Sequence, residues 1–291
     1  MRILILGGDG MLGHQLLSSW QGRHTVAVTL RQSLSHYVRY NLFNQENSIA
    51  DVDVREFSKL AQVVEDFRPD AVINSVGIIK QRDDTNDAVQ SIEINALLPH
   101  KLAVLCEKIE VRLVHLSTDC VFSGSKGLYR EDDLPDARDL YGRSKLLGEV
   151  ATDGAITLRS SIIGLELSRN KSLVEWFLAQ QGIIWGFRRA IYSGVTTLEM
   201  ARIIEHLLTQ HPNLSGVWQV ASQPINKYEL LSGLLKRLPE LDIEIEADDS
   251  FACDRSLDGS HFQQETGYEI SGWPLMLDEL AQQIQERTHC A

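Results

Sequence analysis

The sequence predicts an α/β protein with a doubly wound parallel sheet and a smaller mixed C-terminal lobe. Short apolar segments alternate with segments of helical spacing through the first half of the chain. Strands that alternate with helices form a parallel sheet, and right-handed crossovers place helices on both of its faces. The second half has no comparable run of parallel strands, so we assign residues 1–162 to the sheet domain and residues 163–291 to a lobe interleaved with it.

The predicted elements follow one another in a regular order. Strands are predicted at residues 3–6, 24–30, 48–52, 70–77, 111–117 and 155–161, and helices at residues 11–20, 55–67, 86–109 and 141–150. Further helices are predicted near residues 171–181, 197–210, 227–237 and 273–287, and the acidic run 244–249 is interpreted as a solvated face. Ligands bind beyond the carboxyl ends of the strands in such sheets, so we expect the functional side chains there.

A glycine-rich turn follows the first predicted strand, in the stretch MRILILGGDGMLGH. Gly7 permits a sharp turn, Gly10 lets the backbone approach a ligand, and Gly13 allows the helix to pack closely on the strand. The free N–H groups at the helix start and the positive end of the helix dipole favour a pyrophosphate. This pattern is typical of a Rossmann-type dinucleotide-binding domain, although a glycine-rich turn that binds nothing looks the same locally.

The composition excludes several classes of partner. The chain carries 28 basic and 40 acidic residues, a net charge of −12, and we find no basic stripe for nucleic acid. No apolar run approaches the roughly 20 residues of a membrane span, and the first residues predict a core strand rather than a signal peptide. The cysteines and histidines lack metal-ligand spacing. We therefore expect a cytoplasmic protein without a metal site, with Cys106, Cys120 and His115 in the core.

The stretches HLSTDCVFSG (115–124) and YGRSKLLGE (141–149) carry the candidate chemistry. Tyr141 and Lys145 are four residues apart at a predicted helix start, so both side chains lie on one face. A nearby ammonium group favours the phenolate and makes the phenol a better proton donor. Ser117 and Thr118 end a strand and can hydrogen-bond a carbonyl oxygen. Together these groups could polarise and protonate a ketone that accepts hydride from a nicotinamide, although a Tyr-x-x-x-Lys pair alone is also typical of a surface helix.

The end of the second predicted strand indicates the nicotinamide cofactor. Arg31 follows this strand, and no carboxylate occurs between Asp9 and Glu46. An acid at this position accepts hydrogen bonds from the adenosine ribose, whereas an arginine pairs with a 2′-phosphate. We therefore expect NADPH to be preferred and NADH to be possible, with a solvated arginine as the alternative interpretation.

Several motifs occur together in the order of a known family. They are GGDGMLGH, VINSVG, EINALLPHKLA, LSTDCVFSG, YGRSKLLGE and LRSSIIG, and they extend over roughly the first 165 residues. On these motifs the chain resembles the extended short-chain dehydrogenases/reductases, and within them the dTDP-4-dehydrorhamnose reductase family. SGVTTLEMARII (193–204) and RSLDGSHF (255–262) extend the resemblance more weakly.

The resemblance implies a role for individual residues. It places the dinucleotide against Gly7, Gly10, Met11, Leu12, Gly13, Asp53, Val54, Ser75, Val76 and Gly77. It makes Thr118, Tyr141 and Lys145 catalytic, and Lys145 would also hydrogen-bond the nicotinamide ribose. Asn95 either supports the active site or is a buried residue at a helix kink.

The resemblance also implies an activity, which is NAD(P)H-dependent reduction of the C4 ketone of a nucleoside-diphosphate 4-keto-6-deoxy sugar. Such a product would serve deoxysugar and surface polysaccharide biosynthesis, and the enzyme could be a homodimer. A nucleotide-sugar epimerase and a non-catalytic NAD(P)-binding regulatory subunit are the alternatives. Dehydration is disfavoured, because Cys120 follows Asp119 where a dehydratase needs a glutamate.

The chain departs from the family pattern in the lobe that selects the substrate. Residues 168–189 differ from the expected sugar-contacting segment, and ACDRSLDGSHF lacks the Arg-Pro pair that commonly precedes its Ser-x-Leu run. Ser117 and Trp185 are the candidate substrate contacts. Trp176 and Trp218 are interpreted as core residues, and Trp185 would be the exception because it lies in the divergent segment.

Overall fold

The computed structural model describes residues 1–78, 87–168 and 170–290. Its strands are β1 (Arg2–Leu6), β2 (Thr25–Thr29), β3 (Ser48–Ile49), β4 (Ala71–Asn74), β5 (Arg112–Leu116), β6 (Ala155–Arg159), β7 (Ile162–Ile163), β8 (Gly182–Tyr192), β9 (Val195–Thr196), β10 (Gly216–Gln219), β11 (Ile225–Asn226) and β12 (Ile243–Asp254). Its α-helices are α1 (Met11–Trp20), α2 (Phe57–Phe67), α3 (Ala88–Ser91), α4 (Leu98–Lys108), α5 (Leu140–Leu147), α6 (Leu173–Leu178), α7 (Thr197–Gln210), α8 (Lys227–Leu235), α9 (Ser260–Thr266) and α10 (Trp273–Cys290).

Seven strands form one sheet in the order β10-β6-β5-β4-β1-β2-β3. All neighbouring pairs in this sheet run parallel, which confirms the predicted doubly wound architecture. The strand order reverses between β1 and β4, and this switch point is where sheets of this class bind ligands. Strand β10 comes from the second half of the chain, so that half contributes to the main sheet.

The sheet is buried on both faces. In β1, Ile3 and Ile5 pack into one hydrophobic cluster, whereas Leu4 and Leu6 pack into another on the opposite face. All four are at most 1% exposed. This alternation explains why the strand reads as an uninterrupted apolar run, since neither face meets water.

The long helix predicted over residues 86–109 contains a local widening. Helix α3 passes into a π-helical turn, Ile92–Leu97, and then into α4. Asn86, at the predicted start, lies outside the described residues. π-Helical turns are frequent at functional sites, and Asn95 lies within this one, 1% exposed.

The second half contains a sheet that the sequence interpretation missed. β8 is paired in parallel with β12 and antiparallel with β11, so the acidic run 244–249 belongs to a strand and is more than a solvated face. Ile243 and Ile245 are partly buried, whereas Glu244 and Glu246, each of which follows one of them, are exposed. Burial that alternates with a period of two is typical of a strand with one face in solvent. In the sequence, the run of acidic residues obscures this alternation.

One of the tryptophans expected in the core, Trp176, lies on the surface, and so does Trp185, which was the expected exception. Trp176 is 40% exposed and Trp185 is 57% exposed, whereas Trp218 is partly buried and contacts Phe262. The expectation was wrong for Trp176 because α6 turns Val174 and Phe177, rather than Trp176, towards the core. None of the helices in the described ranges is long and apolar enough to cross a bilayer.

Candidate active site

The glycine-rich turn lies between β1 and α1 at the switch point of the sheet. Gly7 has φ +83°, a conformation that side chains other than glycine rarely adopt. A Cβ on Gly13 would lie 2.1 Å from the Gly7 carbonyl oxygen, and one on Gly8 would lie 2.5 Å from Val28. Gly10 is the N-cap of α1, so the first N–H groups of the helix are left for a ligand. The turn therefore has the shape that a pyrophosphate requires, and Gly8 joins the residues that fix it.

Two cavities meet over this turn and form one cleft. Their volumes are about 260 and 490 Å³, and both are lined by Gly10 and by the residues that follow β4, 75–78. The predicted dinucleotide residues are divided between them. Gly7, Gly10, Arg31, Asp53, Val54, Ser75, Val76 and Gly77 line the first cavity, and Met11 and Leu12 line the second. Gly13 acts through helix packing, as its close approach to Gly7 shows.

The first cavity contains a carboxylate that is already paired. Arg55 Nη2 lies 2.5 Å from Asp53 Oδ2, and Arg55 Nε lies 3.0 Å from Asp53 Oδ1. These hydrogen bonds from Arg55 hold the pKa of Asp53 below its ordinary value. Arg31 lines the same cavity with an exposed side chain. The sequence analysis did not single out Arg55. Its only sign in the sequence is that a positively charged residue stands two positions after Asp53.

The second cavity brings together Ser117, Thr118, Tyr141 and Lys145. Thr118 follows β5, and its hydroxyl donates to Asp119 Oδ1 at 3.1 Å and accepts from the Cys120 N–H at 3.2 Å. The predicted strand end and helix start thus meet at one wall of the cleft.

Glycine also determines the close approach of α5 to this wall. Asp139 caps α5 by accepting a hydrogen bond from the Gly142 N–H at 2.8 Å. A Cβ on Gly142 would lie 2.2 Å from the Cys120 carbonyl oxygen. Only glycine fits at position 142, and the close packing that it allows brings Tyr141 beside Thr118.

Burial governs the protonation of Tyr141. It raises the pKa of the phenol well above its ordinary value near 10, Cys120 adds to that rise, and a hydrogen bond with Thr118 opposes it. The sequence predicted that Lys145 would favour the phenolate, but desolvation outweighs any such effect here. The phenol therefore stays protonated at neutral pH, which is the form that can donate a proton.

Lys145 is buried at the base of α5 and is only 5% exposed. Its Nζ donates to the Leu116 carbonyl oxygen at 2.5 Å. Burial lowers the pKa of Lys145 to about 8, and the Glu149 carboxylate opposes that decrease. The ammonium form thus holds at neutral pH by a small margin.

Asn95 ties two walls of the cleft together. Its side-chain Oδ1 accepts from the Ile78 N–H at 2.9 Å, and its Nδ2 donates to the Ile78 carbonyl at 3.0 Å and to Ser144 Oγ at 3.1 Å. Ile78 lines both cavities, and Ser144 lies on α5. The sequence left two interpretations of Asn95, a buried residue at a helix kink or a residue that supports the site. In the structure Asn95 is buried and also makes contacts that support the cleft.

The second cavity contains polar groups that the sequence did not single out. Asp119 is 6% exposed, and burial raises its pKa while Arg255 opposes the rise. The Tyr192 hydroxyl is buried without a hydrogen-bond partner in the described part of the chain. Cys120, expected in the core, instead lines this cavity, and burial raises its pKa to about 12.

The C-terminal lobe closes the second cavity with Lys227, Phe251 and Arg255. Arg255 Nε donates to the Phe122 carbonyl at 2.9 Å, next to the turn that bears Thr118. Ser117 lines the cavity, but Trp185 lies on the exposed face of β8 and lines neither cavity. Within the described ranges, no group of histidine, cysteine and acidic side chains has a metal-binding arrangement.

The parallel sheet, with its glycine turn at the switch point, defines a Rossmann-type α/β protein. Residues 1–163 match the model of the RmlD substrate binding domain, and the chain belongs to this family. The predicted relationship to dTDP-4-dehydrorhamnose reductases is thereby confirmed.

Named relatives extend the comparison. A dTDP-4-dehydrorhamnose reductase of Burkholderia thailandensis is 30% identical over 152 residues, which are 52% of this chain and 45% of the relative. The methionine adenosyltransferase 2 subunit beta of Bos taurus is 27% identical over 176 residues, 58% of this chain and 48% of the relative. The chain thus spans about half the length of these curated relatives.

Solved structures match over nearly the whole chain. A hypothetical dTDP-4-dehydrorhamnose reductase from Sulfolobus tokodaii has a TM-score of 0.75 at 27% identity, covering 93% of this chain and 96% of that chain. The Bacillus anthracis dTDP-4-dehydrorhamnose reductase, solved in complex with NADP, has a TM-score of 0.76 at 20% identity, covering 96% and 98%. The second likeness shows the shared fold.

Proposed function

We propose that the chain is an NAD(P)H-dependent oxidoreductase that reduces the C4 ketone of a nucleoside-diphosphate 4-keto-6-deoxy sugar. One observation carries this proposal. Thr118, Tyr141 and Lys145 line a cavity that shares Gly10 and residues 75–78 with the cavity over the glycine turn. The reductase names of the relatives in the same family support it. The product would serve the synthesis of a surface polysaccharide.

The residues of the cleft fit a dinucleotide. The bare backbone of the glycine turn and the start of α1 would hold the pyrophosphate, and Arg31 would face a ribose 2′-phosphate. Ser75, Val76 and Gly77 would line the path towards Lys145, which would hydrogen-bond the nicotinamide ribose. When bound, NADPH supplies the hydride for the carbonyl carbon.

The protein's own groups would handle the carbonyl oxygen. The Thr118 hydroxyl, which donates to Asp119 in the structure, would turn to donate its hydrogen bond to that oxygen, and this bond would strengthen as negative charge develops. The Tyr141 phenol would donate its proton, and the Lys145 ammonium would stabilise the phenolate left behind. Thr118 and Lys145 are buried and Tyr141 is partly buried beside them, so these interactions would act in a medium of low dielectric constant.

The C-terminal lobe would bind the nucleotide end of the substrate. Lys227 and Arg255 supply two positive side chains at the wall of the second cavity, which suits a diphosphate. Phe251 is 49% exposed, lines the same cavity and contacts Phe187 with ring centroids 5.4 Å apart. An exposed aromatic ring at this position suits a base or a sugar face.

A panel of nucleotide sugars tests the proposal. Purified protein is incubated with NADPH and several nucleoside-diphosphate 4-keto sugars while nicotinamide absorbance is followed. We expect oxidation of NADPH with at least one 4-keto-6-deoxy sugar and none with Tyr141→Phe. If every sugar leaves NADPH intact while NADPH still binds, the result supports the alternative of a non-catalytic binding subunit, and isomerised sugar without net oxidation supports an epimerase.

A further inference from the structure

A buried ion pair lies directly behind the candidate catalytic wall. Arg159 on β6 donates to both carboxylate oxygens of Glu149, from Nε to Oε1 and from Nη2 to Oε2, each at 2.8 Å. The Ser117 hydroxyl donates to the same Glu149 Oε1 at 2.7 Å. The two ionic side chains are only 7% and 6% exposed. Glu149 follows α5, so one carboxylate links the end of β5, the end of α5 and β6.

This arrangement costs stability. Desolvating two charges is expensive, and apolar residues of similar volume are often as stable or more stable. Moreover, Arg159 Nη1 is buried without a partner among the described residues, and so are both polar atoms of the Gln219 side chain on the neighbouring strand β10. Packing alone does not account for charges at this place. Their position does, because the Glu149 carboxylate contacts Ser117 and opposes the decrease that burial causes in the pKa of Lys145.

Arg159 is itself fixed by aromatic packing. Its guanidinium lies over the Phe122 ring, 5.3 Å from the ring centroid, and Phe122 stacks on Tyr129 at 4.2 Å. Phe122 follows the turn that bears Thr118 and accepts a hydrogen bond from Arg255. The ion pair is therefore connected to the catalytic turn from both of its ends.

We propose that Glu149 is a positioning residue for the reduction: held by Arg159, its carboxylate orients Ser117, and through it Thr118, and places a fixed negative charge behind Lys145. This inference rests on the proposed function, because it assigns Lys145 the task of remaining an ammonium. Glu149 and Arg159 line neither cavity, so both act through the residues that do.

The charge of Glu149 has a consequence for pH. The titratable groups near Lys145 include Glu149, Tyr141 on its own helix and His115 on β5. His100 contacts the end of the same helix at the Leu147 carbonyl, and Asp119 and Cys120 line the same cavity as Lys145. His115 is fully buried with its pKa lowered well below 6.5, so it is neutral and cannot replace the carboxylate. Removing the Glu149 charge should lower the pKa of Lys145, and the ammonium would then be lost at a lower pH.

The test is the pH dependence of two quantities in Glu149→Gln. We expect kcat and NADPH affinity both to decrease as the pH rises through the pKa of Lys145, with the midpoint about one pH unit lower than in the wild type. Glu199→Gln is the matched control, because Glu199 is a fully buried carboxylate paired with Arg202 at 3.0 Å and lines neither cavity. It should lose stability without moving the midpoint.

Glu149→Asp separates position from charge. It keeps the charge but withdraws the carboxylate from Ser117, so we expect kcat to fall about tenfold while the midpoint stays near that of the wild type. The proposal would be overturned if folded Glu149→Gln kept the wild-type midpoint. It would also be overturned if Glu149→Asp kept the wild-type kcat, and this second test can be made even if Glu149→Gln does not fold. Because NADPH binding needs no sugar, the midpoint can be read even if the proposed substrate class is wrong.

Discussion

Tyr141 shows how a single side chain combines a poor acid with a suitable position. Burial raises its pKa, so the phenol alone releases a proton reluctantly. Burial shifts the pKa of Lys145 in the opposite direction, to about 8, so its ammonium form is less stable than in water. In the proposed reaction the two groups would act together, since a proton leaving the phenol would create a negative charge that the ammonium could stabilise. Both shifts have the same main cause, which is the removal of the two groups from water.

Tyr141→Phe should reduce kcat by at least about 100-fold while NADPH affinity is unchanged, because the ring stays and only the proton donor is lost. Lys145→Ala should reduce both, because the ammonium is assigned to the phenol and to the nicotinamide ribose. Steady-state rates and NADPH fluorescence titrations measure these effects. Near-normal turnover in Tyr141→Phe would reject the assigned acid.

Arg31→Ala should weaken NADPH binding about tenfold and leave NADH binding nearly unchanged, because only NADPH carries the phosphate that Arg31 would pair with. Arg55 cannot replace it easily, since its guanidinium is bound by Asp53. Arg39→Ala is a suitable control, because Arg39 lies outside the first cavity with its guanidinium over Tyr40. Equal losses of both cofactors in Arg31→Ala would contradict the preference.

The pH dependence of the wild type follows from Lys145. Its pKa is lowered to about 8, so the ammonium that the proposed reaction requires is present below that value and is lost as the pH rises through it. We therefore expect kcat to be level near neutrality and to decline above about pH 8. A decline that begins only above pH 10, measured in a buffer series at saturating NADPH, would mean that burial does not perturb this lysine.

Among the elements, α5 shows how packing places the candidate catalytic side chains. Gly142→Ala would bring a methyl group to 2.2 Å from the Cys120 carbonyl, so α5 must move away from the turn that bears Thr118. We expect a loss of about 1–3 kcal/mol in the free energy of unfolding together with a large decrease in kcat. Gly272→Ala, whose added Cβ would meet Pro274 at an ordinary 3.6 Å, is the control. Unchanged turnover in Gly142→Ala would show that the contact does not position Tyr141.

The same scale shows what could be predicted from the sequence. Strand β1, the glycine turn and α1 were predictable because local rules determine them: an apolar run, conformational freedom at Gly7 and helical spacing. Strand β12 was not, because its acidic residues hide the alternation of its buried ones. The contact of Glu149 with Arg159 depends on how α5 and β6 are placed in space, and no local pattern encodes it.

At the scale of the whole molecule, the two halves share one core. Trp20 on α1 belongs to the same hydrophobic cluster as Ile203 and Leu207 on α7, and β10 is paired with β6 in the main sheet. We therefore expect a single cooperative unfolding transition, with circular dichroism and tryptophan fluorescence giving the same midpoint in urea. Two separated transitions would indicate that residues 1–162 fold as an independent domain.

Strand β10 also determines when the sheet can be completed during synthesis. Arg159, the last residue of β6, leaves the ribosome well before Gly216, where β10 begins. At about 5–20 residues per second, the edge of β6 remains without its partner for several seconds. An unpaired strand edge is a template for association with another chain. The nascent protein therefore passes through an interval in which the edge that β10 later covers is open to association with other chains.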